Sequence, residues 1–191
     1  MFKELKEKYF RRFFWIFTKP SLLFEDLKKD LRVRSSVLFF VFVSVLSFLL
    51  SIFDILIIRP ILSYYAPQVY PEFGLGISWF ILPSYLIASL ILLVSGFLYA
   101  GILFVIFKLY RSGRDYSLAL KIYVYSQTPF LLFRFIPNVN ILMMIYSFVL
   151  QIFAVKKLAK VGLGKSLLIN FSYLVVIIAL DLLSIYVNAL N

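Results

Sequence analysis

The chain has 191 residues, of which 63% are hydrophobic and only 15% charged, and its mean hydropathy is +0.97. A soluble domain carries roughly 25% charged residues, so this composition predicts a single-domain integral membrane protein without a separate soluble catalytic domain. Cysteine and histidine are both absent, which excludes disulfides, thiolate nucleophiles, zinc–thiolate sites and imidazole bases, so we expect no catalytic residues, metal site or cofactor.

The segment 1–34 is basic and is predicted to form two amphipathic helices, cytoplasmic or interfacial. Phenylalanines recur at the i, i+3, i+4, i+7 spacing of one helix face, at Phe10, Phe13, Phe14 and Phe17. Such a helix suits the headgroup region, where its aromatic rings enter the bilayer and its cations meet anionic lipid. Packing on the cytoplasmic ends of the spans fits the same pattern equally well. Pro20 then begins the second helix, because the first turn of a helix tolerates proline.

Residues 35–190 are predicted to form one membrane domain. The fold class is therefore an all-α integral membrane bundle of five transmembrane helices preceded by two amphipathic helices. About 20 apolar residues cross a hydrocarbon core of roughly 30 Å. The predicted spans are 36–58, 82–107, 116–136, 140–155 and 166–188. In the second span Gly96 and Ala100 stand four apart, a spacing that permits close helix–helix approach. Small residues and a short fourth span favour a homo-oligomer.

Lysine and arginine alternate between rich and poor connections along the chain. The segment up to Arg34 has ten, 59–80 has one, 108–121 has four, 134–140 has one and 156–165 has four. The positive-inside rule therefore places the N-terminus in the cytoplasm and the C-terminus outside. The net charge of +11 then lies beside the inner leaflet, so nucleic acid is not expected as a partner. The basic residues expected to face anionic lipid headgroups or a protein partner are Arg11, Arg12, Arg111, Arg114, Lys156, Lys157, Lys160 and Lys165.

Two aspartates lie inside predicted spans. A charge there costs from roughly 2.5 kcal/mol upward, so each is a candidate functional site. Asp54 is near the outer end of the first span, from which its side chain can reach the interface. Asp181 lies deeper in the fifth span, at a level comparable with Arg134 in the third. Asp181 and Arg134 form either an ion or proton site or a structural ion pair, and the structural pair is preferred.

A polar group interrupts the third span at Ser126-Gln127-Thr128-Pro129. Pro129 removes a backbone hydrogen bond and is expected to kink the helix. Gln127 and Thr128 can bind the freed backbone or a neighbouring helix. The kink either lines a polar cavity or fits the helices together, and the second interpretation is preferred.

Three stretches taken together resemble the Yip family (Ypt/Rab-interacting proteins). They are KPSLLFEDL before the first span, YRSGRDYSLALKIYVYSQTPFLL around the third, and KKLAKVGLGKSLLINF before the last. The features typical of the family fall at Pro20 to Phe24, at Tyr125-Ser126 to Pro129, and at Val161 to Ser166. The resemblance implies a cytoplasmic N-terminus followed by five spans.

Departures from the family pattern limit what the resemblance implies about partners. Eukaryotic members have a longer cytoplasmic region and a DLYGP-like motif, whereas this chain has about 35 residues there and no such motif. Small GTPase binding is therefore not expected. The compact form resembles prokaryotic members, which implies a prokaryotic cell membrane.

The sequence thus predicts a non-catalytic multi-pass membrane protein of Yip type. In this interpretation it is a scaffold or adaptor whose basic cytoplasmic face binds lipid or protein partners. The alternative is a small transporter or channel subunit with a polar site in the third and fifth spans. That site would be formed by Asp181, Arg134, Gln127 and Thr128.

Overall fold

The computed structural model describes residues 2–30, 33–65, 81–112, 115–136 and 138–190. The helices are α1 (Phe2–Thr18), α2 (Pro20–Lys29), α3 (Val33–Phe53), α4 (Arg59–Tyr65), α5 (Ile81–Leu109), α6 (Tyr116–Phe133), α7 (Val139–Leu158) and α8 (Leu163–Leu190). A π-helical segment, Asp54–Ile58, joins α3 to α4. The predicted all-α class is confirmed.

Four helical segments of the described chain are long and apolar enough to cross a membrane. They are Val33–Ile58, Leu86–Leu109, Val139–Leu158 and Leu163–Tyr186. These segments coincide with the predicted first, second, fourth and fifth spans. The predicted third span corresponds to α6, which is not in this group. It has 18 residues and includes Lys121, Gln127 and Thr128. The five-span arrangement therefore stays a prediction.

The polarity of α6 is explained by its position at the centre of the bundle. It packs against α3, α5 and α7, and every residue from Ala119 to Ser126 is buried. A helix covered by protein on all sides does not need a lipid-compatible surface, because its neighbours can satisfy polar side chains. Low hydropathy in α6 thus reflects its protein surroundings.

Helix α1 runs along the side of α6 and α3 instead of lying across the end of the bundle. The Arg12 guanidinium is 6.0 Å from the Tyr125 ring, and further along α1 the rings of Phe17 and Phe133 are 6.1 Å apart. Contacts that advance together along both helices mean that α1 is parallel to α6. The cytoplasmic or interfacial location expected for this segment stays a prediction.

The corner between α1 and α2 contacts α7. The Tyr146 hydroxyl donates a hydrogen bond of 2.6 Å to the Ile16 carbonyl oxygen, and the Lys157 ammonium donates one of 3.0 Å to Glu25. Tyr146 belongs to the middle of α7 and Lys157 to its last turn. The α1–α2 hairpin therefore lies against the side of the bundle. Its corner is level with the middle of α7, and Glu25 of α2 is level with the last turn of α7.

The phenylalanine stripe of α1 divides between two environments. Phe13 and Phe17 are half-buried, and the Phe13 ring lies 6.4 Å from that of Phe42 in α3. Phe10 and Phe14 are exposed, and their rings are 4.8 Å apart. The exposed pair is an apolar surface of the kind that enters a bilayer interface.

Gly96 allows the close approach of α5 to α3. A Cβ atom added at Gly96 would overlap the fully buried Phe40 ring and come within 3.3 Å of the Tyr123 ring. Nothing lies within 4 Å of a Cβ added at Gly101 in the same helix. The close helix packing predicted at Gly96 is thus made with the Phe40 ring of α3.

We expect Gly96→Ala to destabilise the protein by about 1–3 kcal/mol, the range typical of overpacking a well-packed core. The matched variant Gly101→Ala is expected to be neutral, or more stable by up to about 1 kcal/mol because alanine favours a helix. Unfolding of both variants in detergent, followed by circular dichroism, measures this difference. Equal stabilities would show that the Phe40 ring moves aside without cost.

Candidate functional site

A buried polar cluster joins the N-terminal helices to the centre of the bundle. Arg12 is fully buried, and its Nε donates a hydrogen bond of 2.7 Å to Asp26 Oδ2. Its terminal nitrogens lie 2.9 Å from Asp30 Oδ2 and 3.3 Å from the Tyr125 hydroxyl. The ring of Tyr125 stacks on that of Phe39 at 4.4 Å. This arrangement fixes α1 to α2, α3 and α6.

Asp30 and Lys121 complete the group. Lys121 of α6 is buried and donates a hydrogen bond to the Asp30 carbonyl oxygen. The Ser35 hydroxyl donates a further bond of 3.1 Å to Asp30 Oδ2. We call Arg12, Asp26, Asp30, Lys121 and Tyr125 the Arg12 cluster. Its two cations and two carboxylates balance, as buried charges require.

The prediction that Arg12 faces lipid or a partner is wrong, because the side chain points into the bundle. Burial alone lowers the pKa of Arg12, but its interactions with Tyr125, Asp26 and Asp30 outweigh that effect and raise the pKa. The guanidinium therefore remains charged. Its neighbour Arg11 is exposed and lies 4.8 Å from the Trp15 ring.

The other basic residues of the predicted face have different environments. Four of them are exposed: Arg111, Lys156, Lys160 and Lys165. Lys157 is half-buried and pairs with Glu25, and this hydrogen bond and charge lower the pKa of the Glu25 carboxyl. Arg114 lies outside the described residues.

The polar residues next to Pro129 are satisfied inside the bundle. The Thr128 hydroxyl donates a 2.8 Å bond to the Val124 carbonyl oxygen one turn earlier in α6. Gln127 reaches across to α7, where its Nε2 donates a hydrogen bond of 3.1 Å to Gln151 Oε1. The two amides therefore connect α6 to α7.

Helix α6 continues through Pro129, and serines of two neighbouring helices bind its backbone just beyond. The Phe130 N–H donates to the Ser147 hydroxyl oxygen at 3.2 Å, and the Ser47 hydroxyl donates to the Leu131 carbonyl oxygen at 2.6 Å. These bonds join α6 to α3 and α7 just after the proline, and the kink expected at Pro129 stays a prediction.

A cavity of about 610 Å³ lies between α5, α6, α7 and α8. Helices α5 and α7 each contact both α6 and α8, so the four helices surround it. Its lining is mainly apolar, with a few polar groups. The lining residues are Leu92, Ser95, Tyr99, Tyr123, Gln127, Phe130, Leu131, Met144, Ile145, Phe148, Gln151, Tyr173, Leu174, Ile177 and Asp181.

Gln127 and Asp181 both line this cavity, whereas Thr128 is buried within α6. Asp181 is exposed, and the structure shows no hydrogen bond or ion pair between Asp181 and Arg134. Arg134 is half-buried directly after α6. The walls between Gln127 and Asp181 are mostly hydrocarbon, which does not favour a polar transport path.

Asp54 is buried and occupies the first position of the π-helical segment after α3. Segments of this kind often occur at functional sites. Asp54 is not among the residues that line the cavity, whereas Asp181 is. Within the described ranges, no three Asp, Glu, His or Cys side chains come together as metal ligands would.

Sequence reasoning missed several of the residues that the structure brings together. Lys121 belongs to the basic stretch 108–121, but its position inside the predicted third span is a signal of burial. Gln151 is likewise a lone amide in the predicted fourth span. Asp26 and Asp30 gave a weaker signal, as acids within a basic segment.

A protein-family model described as the Yip1 domain matches residues 14–185, nearly the whole chain. The comparison with curated proteins and the comparison with solved structures gave no match. The matched range begins within α1, two residues after Arg12, and ends within α8, so it includes all the residues that line the cavity.

Proposed function

Because the chain belongs to the Yip1 domain family, we propose that it is a non-catalytic membrane scaffold or adaptor. In this proposal it binds anionic lipid or protein partners through a basic cytoplasmic face. The proposal rests on one observation: exposed basic residues lie together at one end of the bundle. Exposed cations described on the helices of that end are Lys28, Lys29, Arg34, Lys108, Lys156 and Lys165.

The order of the helices explains why these residues meet. Short connections join α5 to α6, α6 to α7 and α7 to α8, so successive helices run in opposite directions. The end of α5, the start of α6, the end of α7 and the start of α8 therefore share one end of the bundle. Lys108, Lys156 and Lys165 all lie there.

Several acidic residues near this end are already neutralised within the protein. Arg12 pairs with Asp26 and Asp30, and Lys157 pairs with Glu25. The exposed basic residues described at this end therefore outnumber the exposed acidic residues there. A surface of this charge attracts anionic headgroups, with a free energy of about 1 kcal/mol per basic residue near the membrane.

We include α6 as a fifth crossing in the proposal. Contacts of Phe39 with Tyr125 and of Ser47 with Leu131 advance together along α3 and α6, and this parallel course supports a crossing by α6 beside the apolar helix α3. Five crossings place the N-terminus in the cytoplasm and the C-terminus outside, in agreement with the positive-inside rule. The proposed location is a prokaryotic cell membrane.

The triple variant Lys28→Gln, Lys156→Gln, Lys165→Gln is expected to lower the preference for anionic lipid about fivefold per residue, since each cation contributes about 1 kcal/mol. All three residues are exposed and helical, so the fold should tolerate the change. The preference is measured in proteoliposomes, as energy transfer from the protein to fluorescent phosphatidylglycerol relative to fluorescent phosphatidylcholine.

The control Glu7→Gln, Asp115→Asn removes two exposed acids and should leave the preference equal or raise it. Added salt should weaken the preference of the unmodified protein, because exposed charges are screened. If the unmodified protein shows no preference for phosphatidylglycerol, lipid binding at this face is refuted and a protein partner is left as its occupant.

A further inference from the structure

The cavity between α5 and α8 has no role in the proposed function, yet its size and lining are those of a binding site. Its volume of about 610 Å³ falls within the roughly 300–1,000 Å³ that is usual for small-molecule sites. Leu92, Phe130, Ile145 and Ile177 are among its mainly apolar lining residues. Apolar walls of this kind are solvated by hydrocarbon better than by water.

Hydrogen-bonding groups form a layer across the cavity toward the basic end. Gln151 is almost completely buried, and its Nε2 donor has no partner. Tyr99, Tyr123 and Tyr173 also line the cavity, and in the part of the chain that the structure describes their hydroxyls form no hydrogen bond. These hydroxyls and the amide can bind acceptor oxygens that the protein does not supply.

These groups lie at similar depths. Tyr123 is seven residues after the start of α6 and Gln151 is seven residues before the end of α7, about 10 Å from the basic end of each helix. The rings of Tyr99 and Tyr123 stack, with centroids 6.0 Å apart. The layer is therefore an ordered group of donors well inside the bundle.

Charge is absent from this layer. No cationic side chain lines the cavity among the described residues, and the single carboxylate that does so is Asp181. Asp181 comes 18 residues after the start of α8, about 27 Å from the basic end and about 12 Å along the helix from Tyr173. A ligand whose polar end reaches the tyrosine layer meets neutral donors and no ion.

We infer that the cavity binds an uncharged membrane lipid whose polar end carries carbonyl or hydroxyl oxygens. The oxygens accept hydrogen bonds from Gln151 Nε2 and from the tyrosine hydroxyls, which satisfies a donor that is costly to leave unpaired. The hydrocarbon chain lies between Ile145 and Ile177, toward Asp181. This inference is independent of the proposed binding at the basic face.

The test uses a diacylglycerol with a photoreactive diazirine in its acyl chain, and the full-length protein in phosphatidylcholine nanodiscs. Crosslinked peptides identified by mass spectrometry are expected to map to the cavity lining. Ile177→Trp fills the cavity and should reduce crosslinking about tenfold or more, since the lost contacts exceed one hydrogen bond. The matched variant Val175→Trp, at an exposed position of α8, should leave crosslinking unchanged.

Gln151→Leu keeps the size of the side chain and removes the donor, so it should weaken diacylglycerol binding about tenfold. Unlabelled dioleoylglycerol should compete with the probe, while squalene, a hydrocarbon without oxygen, should compete poorly. Circular dichroism establishes that each variant is folded. If Ile177→Trp does not fold, the Gln151→Leu measurement and the competition decide the question.

Three results would overturn the inference. Crosslinks spread over the whole lipid-facing surface would show that no cavity site exists. Equal competition by squalene would remove the role of the tyrosine layer. Loss of binding in Asp181→Asn, or strong competition by phosphatidylglycerol, would show that the ligand is charged.

Discussion

Arg12→Met is expected to lower the free energy of unfolding by about 3–5 kcal/mol, the usual effect of removing one partner from a buried ion pair. The methionine retains much of the apolar length of arginine but cannot form the ion pairs with Asp26 and Asp30. The Tyr125 hydroxyl also loses its donor. Denaturant titration in detergent micelles, followed by far-ultraviolet circular dichroism, measures the loss.

Arg11→Met is the matched control, because Arg11 is the neighbouring residue but is exposed over Trp15. The Arg11→Met change should lower the free energy of unfolding by no more than about 1 kcal/mol, the size of an exposed cation–π contact. A second variant, Arg12→Met with Asp30→Asn, should recover part of the stability, since it also removes the buried negative charge that Arg12 neutralises. An Arg12→Met protein as stable as Arg11→Met would show that the cluster does not stabilise the fold.

Single cysteines at Asp115 and Gly164 are expected to react with a membrane-impermeant maleimide from the same side of the membrane. Five crossings place both positions in the cytoplasm, whereas a bundle in which α6 does not cross places them on opposite sides. The chain contains no cysteine, so each variant carries one thiol. Labelling of sealed inside-out and right-side-out vesicles gives an all-or-none result.

Both positions should accept cysteine without a change in the fold. Asp115 precedes α6 and its side chain forms no capping hydrogen bond, and a Cβ added at Gly164 meets nothing within 4 Å. Permeabilised vesicles, in which both thiols should react, serve as the control. Labelling from opposite sides would contradict the fifth crossing and the proposed location of the C-terminus.

The sequence was sufficient to locate the apolar helices. Span 36–58 corresponds to the apolar segment Val33–Ile58, and span 140–155 to α7, Val139–Leu158. Such helices can be predicted because hydropathy is a local property and every lipid-facing residue contributes to it. Helix α6 has a lower hydropathy because protein covers it. Its central position in the bundle depends on contacts with other helices, which hydropathy does not record.

The Arg12 cluster could not be predicted in the same way. The i, i+3, i+4 pattern of α1 identifies a helix face, but it does not identify the helix that covers that face. The partner hydroxyl, on Tyr125, is 113 residues away in the chain. Gln127 and Gln151 present the same problem at a separation of 24 residues. Polar pairs of this kind depend on the tertiary arrangement.

The separation between Arg12 and Tyr125 also sets an order of events during synthesis. At roughly 5–20 residues per second, the ribosome needs about 6–23 s after making Arg12 to produce Tyr125. During that interval α1 can contact α2 and α3 but lacks α6, and its exposed Phe10 and Phe14 and its cations suit a temporary position on the membrane surface. The N-terminal helix is thus made first and can complete its contact with Tyr125 only after α6 has been made.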